Sequence, residues 1–167
     1  MKTITQRFVR LTAPGLLVGL GVLCASLVRA QAPWPFAAPT TPMAQLNSKN
    51  LVLNQVNWLQ NATRTASSQP NNGYGLLVQQ FQAVRSQYAG LKSTLTPQQL
   101  AAGANQFAEL DAGLDIVQEA FTDYQTAVAN GQSIYTAMPN MCRVLNEAMG
   151  VWAQEFKRDC RQLQVGW

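Results

Sequence analysis

The chain has 167 residues, of which 47% are hydrophobic and only 12% are charged, and it contains no histidine. The lack of imidazole excludes histidine-based catalytic triads, imidazole zinc sites and histidine-ligated haem. The formal net charge of +4 equals the contribution of Lys2, Arg7, Arg10 and Arg29, and the remaining eight basic and eight acidic residues cancel. The charge balance therefore gives no sign of direct nucleic-acid binding, which requires a clustered positive surface.

Residues 1–30 have the pattern of a secretory signal peptide. Basic residues precede an apolar stretch from Leu11 to Val28, and small residues around Ala30 match a signal-peptidase site. We predict cleavage after Ala30 and location in the periplasm or at the cell surface. Retention of the segment as a membrane anchor is the alternative, because a span needs roughly 20 apolar residues.

Residues 31–42 form a proline-rich arm. Prolines at positions 33, 35, 39 and 42 oppose a helix and favour an extended segment. Trp34 and Phe36 lie between these prolines. The arm is interpreted either as a flexible leader to the domain that follows, or as a segment whose two aromatic side chains anchor on a partner.

Residues 43–167 are predicted to form one all-α domain, an elongated helical bundle built on a helical hairpin with coiled-coil-like packing. The first helix covers Met43 to about Ala66, and its apolar residues spread over more than half of the circumference. A helix of this kind is either enclosed in the bundle or shared with another subunit. Its candidate partner-contact residues are Leu51, Val52, Leu53, Val56, Trp58 and Leu59.

A heptad rhythm in the middle of the chain predicts two further helices. Residues 67–75 are rich in Asn and Gly and predict a loop, after which a second helix covers about residues 76–95. A third helix begins at a Thr96 cap and ends near Asn130. It would be about 50 Å long and extend about 20 Å past the second helix. The apolar seams are Leu77, Phe81, Val84, Tyr88, Leu91 and Leu95, then Phe107, Leu110, Leu114, Val117, Phe121, Tyr124 and Val128.

The third helix has two further features. Gly103 replaces a large side chain on the seam, which predicts unusually close packing there. Asp115, Glu119 and Asp123 form an acidic stripe at four-residue steps, interpreted as a solvated face with docking to a basic partner as the alternative. Calcium binding is disfavoured, because a regular helix cannot wrap six or more oxygens around one ion.

Cys142 and Cys160 are the only cysteines after the predicted cleavage site, and export favours a disulfide. On one straight helix their α carbons would lie about 27 Å apart, whereas a disulfide requires less than about 7 Å. We therefore predict a reversal or strong bend near Gly150 that allows an internal bridge. A bridge between two chains is the alternative.

The sequence assigns no catalytic, cofactor-binding or metal-binding residue. The two cysteines lack the close spacing of a redox pair, and no glycine loop of the phosphate-binding type is present. Glu147 and Glu155 are the carboxylates considered for glycoside hydrolysis, and nothing in the pattern shapes a sugar cleft around them. We predict a protein that is not an enzyme and that needs no cofactor.

Three segments carry a resemblance to a known family: Asn-Trp-Leu-Gln-Asn at 57–61, Leu-Val-Gln-Gln-Phe at 77–81 and Gln-Tyr-Ala-Gly-Leu at 87–91. In an exported helical chain rich in Gln and Ala, they resemble the minor pilin family of type IV secretion and conjugal transfer systems, the TrbJ-like and TraC-like proteins. The resemblance covers about residues 43–130. It implies a helical bundle without catalytic residues, placed at the periplasmic stalk or pilus tip, where it helps to nucleate the major pilin.

The resemblance also implies partners, namely the polytopic inner-membrane channel protein and the major pilin, with membrane contact only through such partners. We additionally expect a homo-oligomer from the heptad seams and the wide apolar surface of the first helix. The alternative function, from a different class, is a soluble periplasmic chaperone or adaptor that binds client proteins through methionine-rich and aromatic surfaces.

Overall fold

The computed structural model describes residues 42–166, and within that range the chain is an all-α helical bundle without strands. The predicted fold class is therefore confirmed. The predicted signal peptide and nearly all of the arm, including Trp34 and Phe36, lie outside the described residues. None of the helices between residues 42 and 166 has both the length and the hydrophobicity of a membrane span. The helices are α1 (Pro42–Ser68), α2 (Pro70–Ser93), α3 (Pro97–Ala102), α4 (Ala104–Ala129) and α5 (Ile134–Gln162).

The four long helices form an up-and-down bundle, and α3 is a short connection between α2 and α4. Helices α2 and α4 run antiparallel, because Lys92 Nζ lies 2.8 Å from Asp111 Oδ1 at one end and the rings of Tyr74 and Tyr124 stack 5.1 Å apart at the other. Helix α5 packs against α1, α2 and α4. It therefore contacts every other long helix of the bundle.

Both predicted seams face the core. Every seam residue of α2 is buried, as are those of α4 from Phe107 to Phe121, while Tyr124 and Val128 at the end of α4 are half-buried. Each buried aliphatic or aromatic side chain of this kind contributes roughly 1.5–3 kcal/mol relative to exposure. The seams thus hold the hairpin to the rest of its own chain.

Trp152 of α5 lies at the centre of the bundle. Its indole Nε1 donates a hydrogen bond to the Leu110 carbonyl of α4 at 2.9 Å, and its ring stacks on Phe156 with centroids 5.1 Å apart. The ring of Tyr88, on α2, meets it edge-on at 5.5 Å. Gly113 makes room for the indole, because a Cβ there would lie 2.9 Å from Trp152 Cδ1.

A cluster of two amide side chains, the buried Gln45 and the half-buried Gln99, closes one end of the bundle. Gln45 on α1 donates through Nε2 to the Thr94 carbonyl at 3.0 Å and to Gln99 Oε1 at 2.9 Å. Its Oε1 accepts from Gln99 Nε2 at 3.3 Å and from the Gly166 N–H at 3.4 Å. These bonds tie α1, the α2–α3 connection, α3 and the C-terminal residues together.

The predicted loop at residues 67–75 is wrong. Only Gln69 separates α1 from α2, because Pro70 occupies the first helical position, where its missing N–H costs nothing. Gly73 serves helix packing instead of a turn, since a Cβ there would lie 2.5 Å from Ala66 Cβ. The glycine allows α1 and α2 to approach closely directly after the break.

The predicted continuous third helix is divided at Gly103 into α3 and α4. The Thr96 cap is confirmed, with Thr96 Oγ1 accepting from the Gln99 N–H and Gln99 Oε1 accepting from the Thr96 N–H. A Cβ at Gly103 would lie 2.5 Å from Leu163 Cδ1 and 2.6 Å from Phe107 Cε2, so the close packing predicted there is present.

The predicted 20 Å extension of the third helix is absent from this part of the chain. Helix α2 begins six residues earlier than predicted and α4 begins after Gly103, so the two helices have 24 and 26 residues. Tyr74, which the prediction placed in a loop, instead covers Phe121 and Tyr124. Helix α4 ends at Ala129, close to the predicted end at Asn130, and Gly131 follows in the left-handed conformation with a φ of 85°.

Two glycine substitutions test whether the space beside Trp152 is required. Gly90→Ala, on the exposed surface of α2 with open space around its Cβ position, should stabilise the protein by up to about 1 kcal/mol through helix propensity. Gly113→Ala should lose that gain and destabilise by about 1–3 kcal/mol, because the indole must shift. Urea unfolding measures both, and equal stabilisation by the two substitutions would contradict the packing described.

Candidate interaction surface

The structure divides the predicted partner-contact residues of α1 into two sets. Val52, Val56 and Leu59 are buried in the core of the same chain, and Leu53 is half-buried against it. Leu51 and Trp58 are exposed, at 47% and 58% of their surface. The broad apolar circumference predicted for this helix therefore comprises one face that packs into the bundle and a second that points outward.

Leu51 and Trp58 lie seven residues apart, which places them on one side of α1, two helical turns from each other. Five exposed asparagines run beside them at steps of three and four residues: Asn47, Asn50, Asn54, Asn57 and Asn61. We call these five residues the asparagine stripe. Together with Leu51 and Trp58 they form the outer face of α1.

The asparagine stripe has a cost for the helix itself. Asparagine is among the weaker helix formers, up to about 0.7 kcal/mol below alanine, so five of them cost up to about 3.5 kcal/mol. Glutamate or lysine at exposed positions would favour both helicity and solubility. The needs of this helix alone therefore do not explain the stripe. The pattern of apolar residues does not reveal the stripe, although the asparagines follow the same three-and-four spacing as an apolar seam.

Few charges lie near the outer face of α1, although Lys157 of α5 borders the asparagine stripe in a groove beside Asn50, Asn54 and Asn57. Arg85 and Lys92 of α2 are directed to α4, where they pair with carboxylates at 3.7 and 2.8 Å. Lys49 Nζ lies 3.3 Å from the Gly166 carbonyl oxygen. Among the described residues, α1 and α2 contain no acid, and their charged residues are Lys49, Arg64, Arg85 and Lys92.

The opposite side of the bundle has a different character. Helices α4 and α5 expose charges of both signs: Glu109, Asp115, Glu119, Asp123, Arg143, Glu147, Lys157, Arg158 and Arg161. Arg143 and Glu147 pair along α5 at 3.1 Å. Such a mixed charged surface is well solvated. The bundle thus has one solvated side and one side made of amides and apolar groups.

The acidic stripe of α4 lies on the solvated side. Asp115, Glu119 and Asp123 are exposed, and Asp115 also lies 3.7 Å from the Arg85 guanidinium. Within residues 42–166 no three acidic or cysteine side chains are grouped so that they could hold a metal ion. These positions agree with the interpretation as a solvated face, and docking of a basic partner stays a prediction.

The two glutamates considered for glycoside hydrolysis do not face each other. Both lie on α5, where eight residues correspond to about 12 Å along the axis, beyond the roughly 5–9.5 Å that separates such catalytic carboxylates. Glu147 forms an ion pair with Arg143, and burial raises the pKa of Glu155. A shallow groove between α1 and α5, lined by Asn50, Leu53, Asn54, Val56, Asn57, Ala153 and Lys157, contains no carboxylate.

The predicted bend at Gly150 is wrong, and with it the internal disulfide. Helix α5 continues from Ile134 to Gln162 through Gly150, so Cys142 and Cys160 stay too far apart to bond. Both are free, buried thiols. A bridge between two chains would require one of these thiols to leave the core.

Comparison with known proteins adds no family to these observations. No protein-family model, curated protein or solved structure matches the chain. The resemblance to minor pilins therefore stays a prediction.

Two leucines of α1 test the division of this helix into an inner and an outer face. Leu59→Ala should cost about 2–5 kcal/mol of unfolding free energy, because it leaves a cavity in the core. Leu51→Ala should change it by no more than about 0.5 kcal/mol, because its side chain is exposed and the two residues are similar helix formers. Urea unfolding by circular dichroism measures both, and comparable losses would show that Leu51 belongs to the fold.

The buried thiols predict a loss of stability at alkaline pH. Burial raises the pKa of Cys142 to about 11 and of Cys160 to about 12, from 9.0. Their stabilising contribution is complete below pH 9.0 and is lost as the pH rises from there through about 12, because the unfolded chain releases these protons first.

Urea unfolding should therefore show a free energy that falls above pH 9.0, and a smaller fall in a Cys142→Ala, Cys160→Ala variant. Burial also raises the pKa of Tyr88, so some alkaline loss should remain in the variant. Identical pH profiles for the two proteins would contradict the burial of the thiols.

Proposed function

We propose that this chain is a non-enzymatic structural subunit of a type IV secretion or conjugation apparatus, a minor pilin that supports pilus biogenesis. After export it would act at the periplasmic stalk or the pilus tip. Its partners would be the major pilin and the inner-membrane channel protein, and it would contact the membrane only through them. The resemblance of three helical segments supports the type of apparatus, and the outer face of α1 supports the way in which the subunit acts.

The outer face of α1 is the observation that carries the proposal. Cores of protein interfaces are depleted in charge and enriched in aromatic residues, and tryptophan is a frequent centre of binding energy. Trp58 has these surroundings, with Leu51 two turns away and amides between them. An exposed tryptophan on an uncharged helix face is suited to contact with another protein.

The fold holds this face in place before any partner arrives. Val52, Val56 and Leu59 fix α1 in the core, one turn or less from Leu51 and Trp58. A partner would therefore meet a formed helix and would not have to order it on binding, which lowers the entropic cost of association.

The segments that carry the resemblance serve two different purposes in the structure. Leu77 and Phe81 of the second segment and Tyr88 and Leu91 of the third are buried core residues. Residues 57–61 bring Asn57, Trp58 and Asn61 to the surface and bury Leu59. The first segment thus links the resemblance to the proposed contact, whereas the others specify the bundle.

Complementation in the native host tests the proposal. A deletion strain should form fewer pili and transfer DNA less often, and the wild-type gene should restore both. Trp58→Ala should reduce transfer by at least about tenfold, since loss of a central tryptophan typically costs 2 kcal/mol or more of binding. Tyr135→Ala is the matched control, because Tyr135 is an exposed aromatic residue at the start of α5.

Sheared filaments, membranes and periplasm are then probed for each variant. The proposal predicts wild-type protein with the filaments or the envelope complex, and Trp58→Ala protein at normal abundance in the free periplasmic fraction. Undiminished transfer in the deletion strain would contradict it. Recovery of the wild-type protein only as a free periplasmic species that suppresses client aggregation would instead support the chaperone or adaptor alternative.

A further inference from the structure

We propose that residues 163–166, which follow α5, are a clasp that opens as one unit and frees the start of α1 while the core around Trp152 stays packed. These four residues are called the clasp. The proposal concerns the purified protein and does not rest on the proposed function.

The clasp contacts the start of α1, although the two segments are more than a hundred residues apart in sequence. The Gly166 N–H donates to Gln45 Oε1 at 3.4 Å, and Lys49 Nζ donates to the Val165 and Gly166 carbonyls at 3.4 and 3.3 Å. Gly166 also touches the helix backbone, because a Cβ there would lie 2.7 Å from Leu46 Cα. The closed clasp therefore lies directly on α1.

Two apolar side chains anchor the clasp to the rest of the bundle. Val165 is buried, with 1% of its surface exposed. Leu163 packs at the junction of α3 and α4, where a Cβ at Gly103 would lie 2.5 Å from Leu163 Cδ1. Gln99 Nε2 of α3 donates to the Leu163 carbonyl at 3.4 Å. Closure of the clasp thus joins α1, α3 and the end of α5.

The hydrogen bonds that join the clasp to α1 and α3 are long. They measure between 3.3 and 3.4 Å, whereas N–H···O bonds in proteins are typically about 2.9–3.0 Å long. Gln45 bonds the Thr94 carbonyl and Gln99 at 3.0 and 2.9 Å. At this end of the bundle, the clasp is therefore held less tightly than the pair of amides beneath it.

The clasp also contains a strained backbone residue. Gln164 has a φ of 52°, in the left-handed region that is costly for any residue but glycine. Its N–H donates to the Arg161 carbonyl at 3.2 Å and the Val165 N–H donates to the Cys160 carbonyl at 2.8 Å, a helix ending in which glycine is the usual residue. The Gln164 side chain is exposed, so its burial does not offset the cost. Opening of the clasp releases this strain.

The start of α1 has little else to hold it in the bundle. Gln45 is the first buried residue of α1, and the next is Val52. Leu46 is half-buried beside Gly166. A short helical segment without a buried apolar side chain is marginally stable by itself. When the clasp opens, Gln45 is the buried side chain that still holds residues 42–51.

The clasp thereby divides the outer face of α1 into two parts. Leu51 lies at the end of the segment that the clasp holds, two residues after Lys49. Trp58 lies beyond Val52 and Val56, which are buried in the core. Opening of the clasp would loosen the part of the face that contains Leu51 and leave the part that contains Trp58 in place.

Amide hydrogen exchange of the purified protein, measured by NMR at several low urea concentrations, tests the proposal. The amides of residues 46–51 should exchange through an opening that is at least about tenfold more frequent than that of residues 110–117 in α4. The urea dependence of this opening should be weaker, because opening of the clasp exposes less surface than global unfolding does. The Val165 amide should show the same opening constant, since the clasp opens as one unit.

Two substitutions should shift the opening in opposite directions. Gly166→Ala should raise the opening constant of residues 46–51 at least about tenfold, because its Cβ would meet the α1 backbone and its φ is 70°. Gln164→Gly should lower this constant about two- to fivefold, because glycine takes the left-handed conformation without strain. Circular dichroism verifies folding, and Gln164→Gly decides the test if Gly166→Ala does not fold.

Gly131→Ala is the matched control. Gly131 also has a positive φ, 85°, but it has open space around its Cβ position and lies at the far end of α4 from the clasp. Its strain is the same whether the clasp is open or closed. Gly131→Ala should therefore speed exchange of residues 110–117 through global unfolding and leave residues 46–51 unchanged.

Equal exchange and equal urea dependence of residues 46–51 and 110–117 in the wild type would overturn the proposal. So would an equal effect of Gly131→Ala and Gly166→Ala on residues 46–51, or an opening that Gln164→Gly leaves unchanged. None of these outcomes bears on the proposed function, which is tested by DNA transfer with Trp58→Ala.

Discussion

The fold depends above all on the packing of α5 against the three other long helices, with Trp152 at the centre. The indole is fixed by a hydrogen bond to the Leu110 carbonyl, by stacking on Phe156 and by the edge of Tyr88. Gly113 leaves the space that the ring occupies. Because the indole N–H has an acceptor, this large side chain is buried without an unsatisfied donor, and α2, α4 and α5 are held in one arrangement.

This central packing explains how α1 can carry two faces. Val52, Val56 and Leu59 are the large apolar side chains that α1 buries in the core. The outer face consists of exposed side chains and can therefore carry asparagines that weaken the helix locally, because the rest of the bundle keeps it formed. Interaction through that face then requires no change in the fold, which suits a subunit that acts by contact and not by chemistry.

The sequence alone predicts the features that depend on the spacing of residues along the chain. It does not predict those that depend on how closely two helices approach each other. The seams of α2 and α4 and the Thr96 cap were predicted because three-and-four spacing and capping chemistry are local. The prediction of a loop at 67–75 is wrong because a glycine such as Gly73 occurs both in turns and where two helices pack closely. Only the position of Ala66 beside Gly73 in the structure shows that this glycine belongs to a helix contact. The bend at Gly150 was inferred from an expected disulfide, whereas burial of both thiols in α5 needs no bridge. Periodicity alone does not show which of the proposed contact residues on α1 are exposed. Leu51 and Trp58 differ from their buried neighbours only because of where α2 and α5 pack against α1.

The proposed function requires that Trp58 contacts another protein chain while the bundle stays folded. Site-specific photo-crosslinking in living cells of the native host can detect this contact, with a benzophenone amino acid in place of Trp58 and, as the control, in place of Tyr135. We expect position 58 to form a covalent adduct with another protein chain, identified by mass spectrometry, and position 135 to form none. Absence of any adduct at position 58, or the same adducts from both positions, would contradict it.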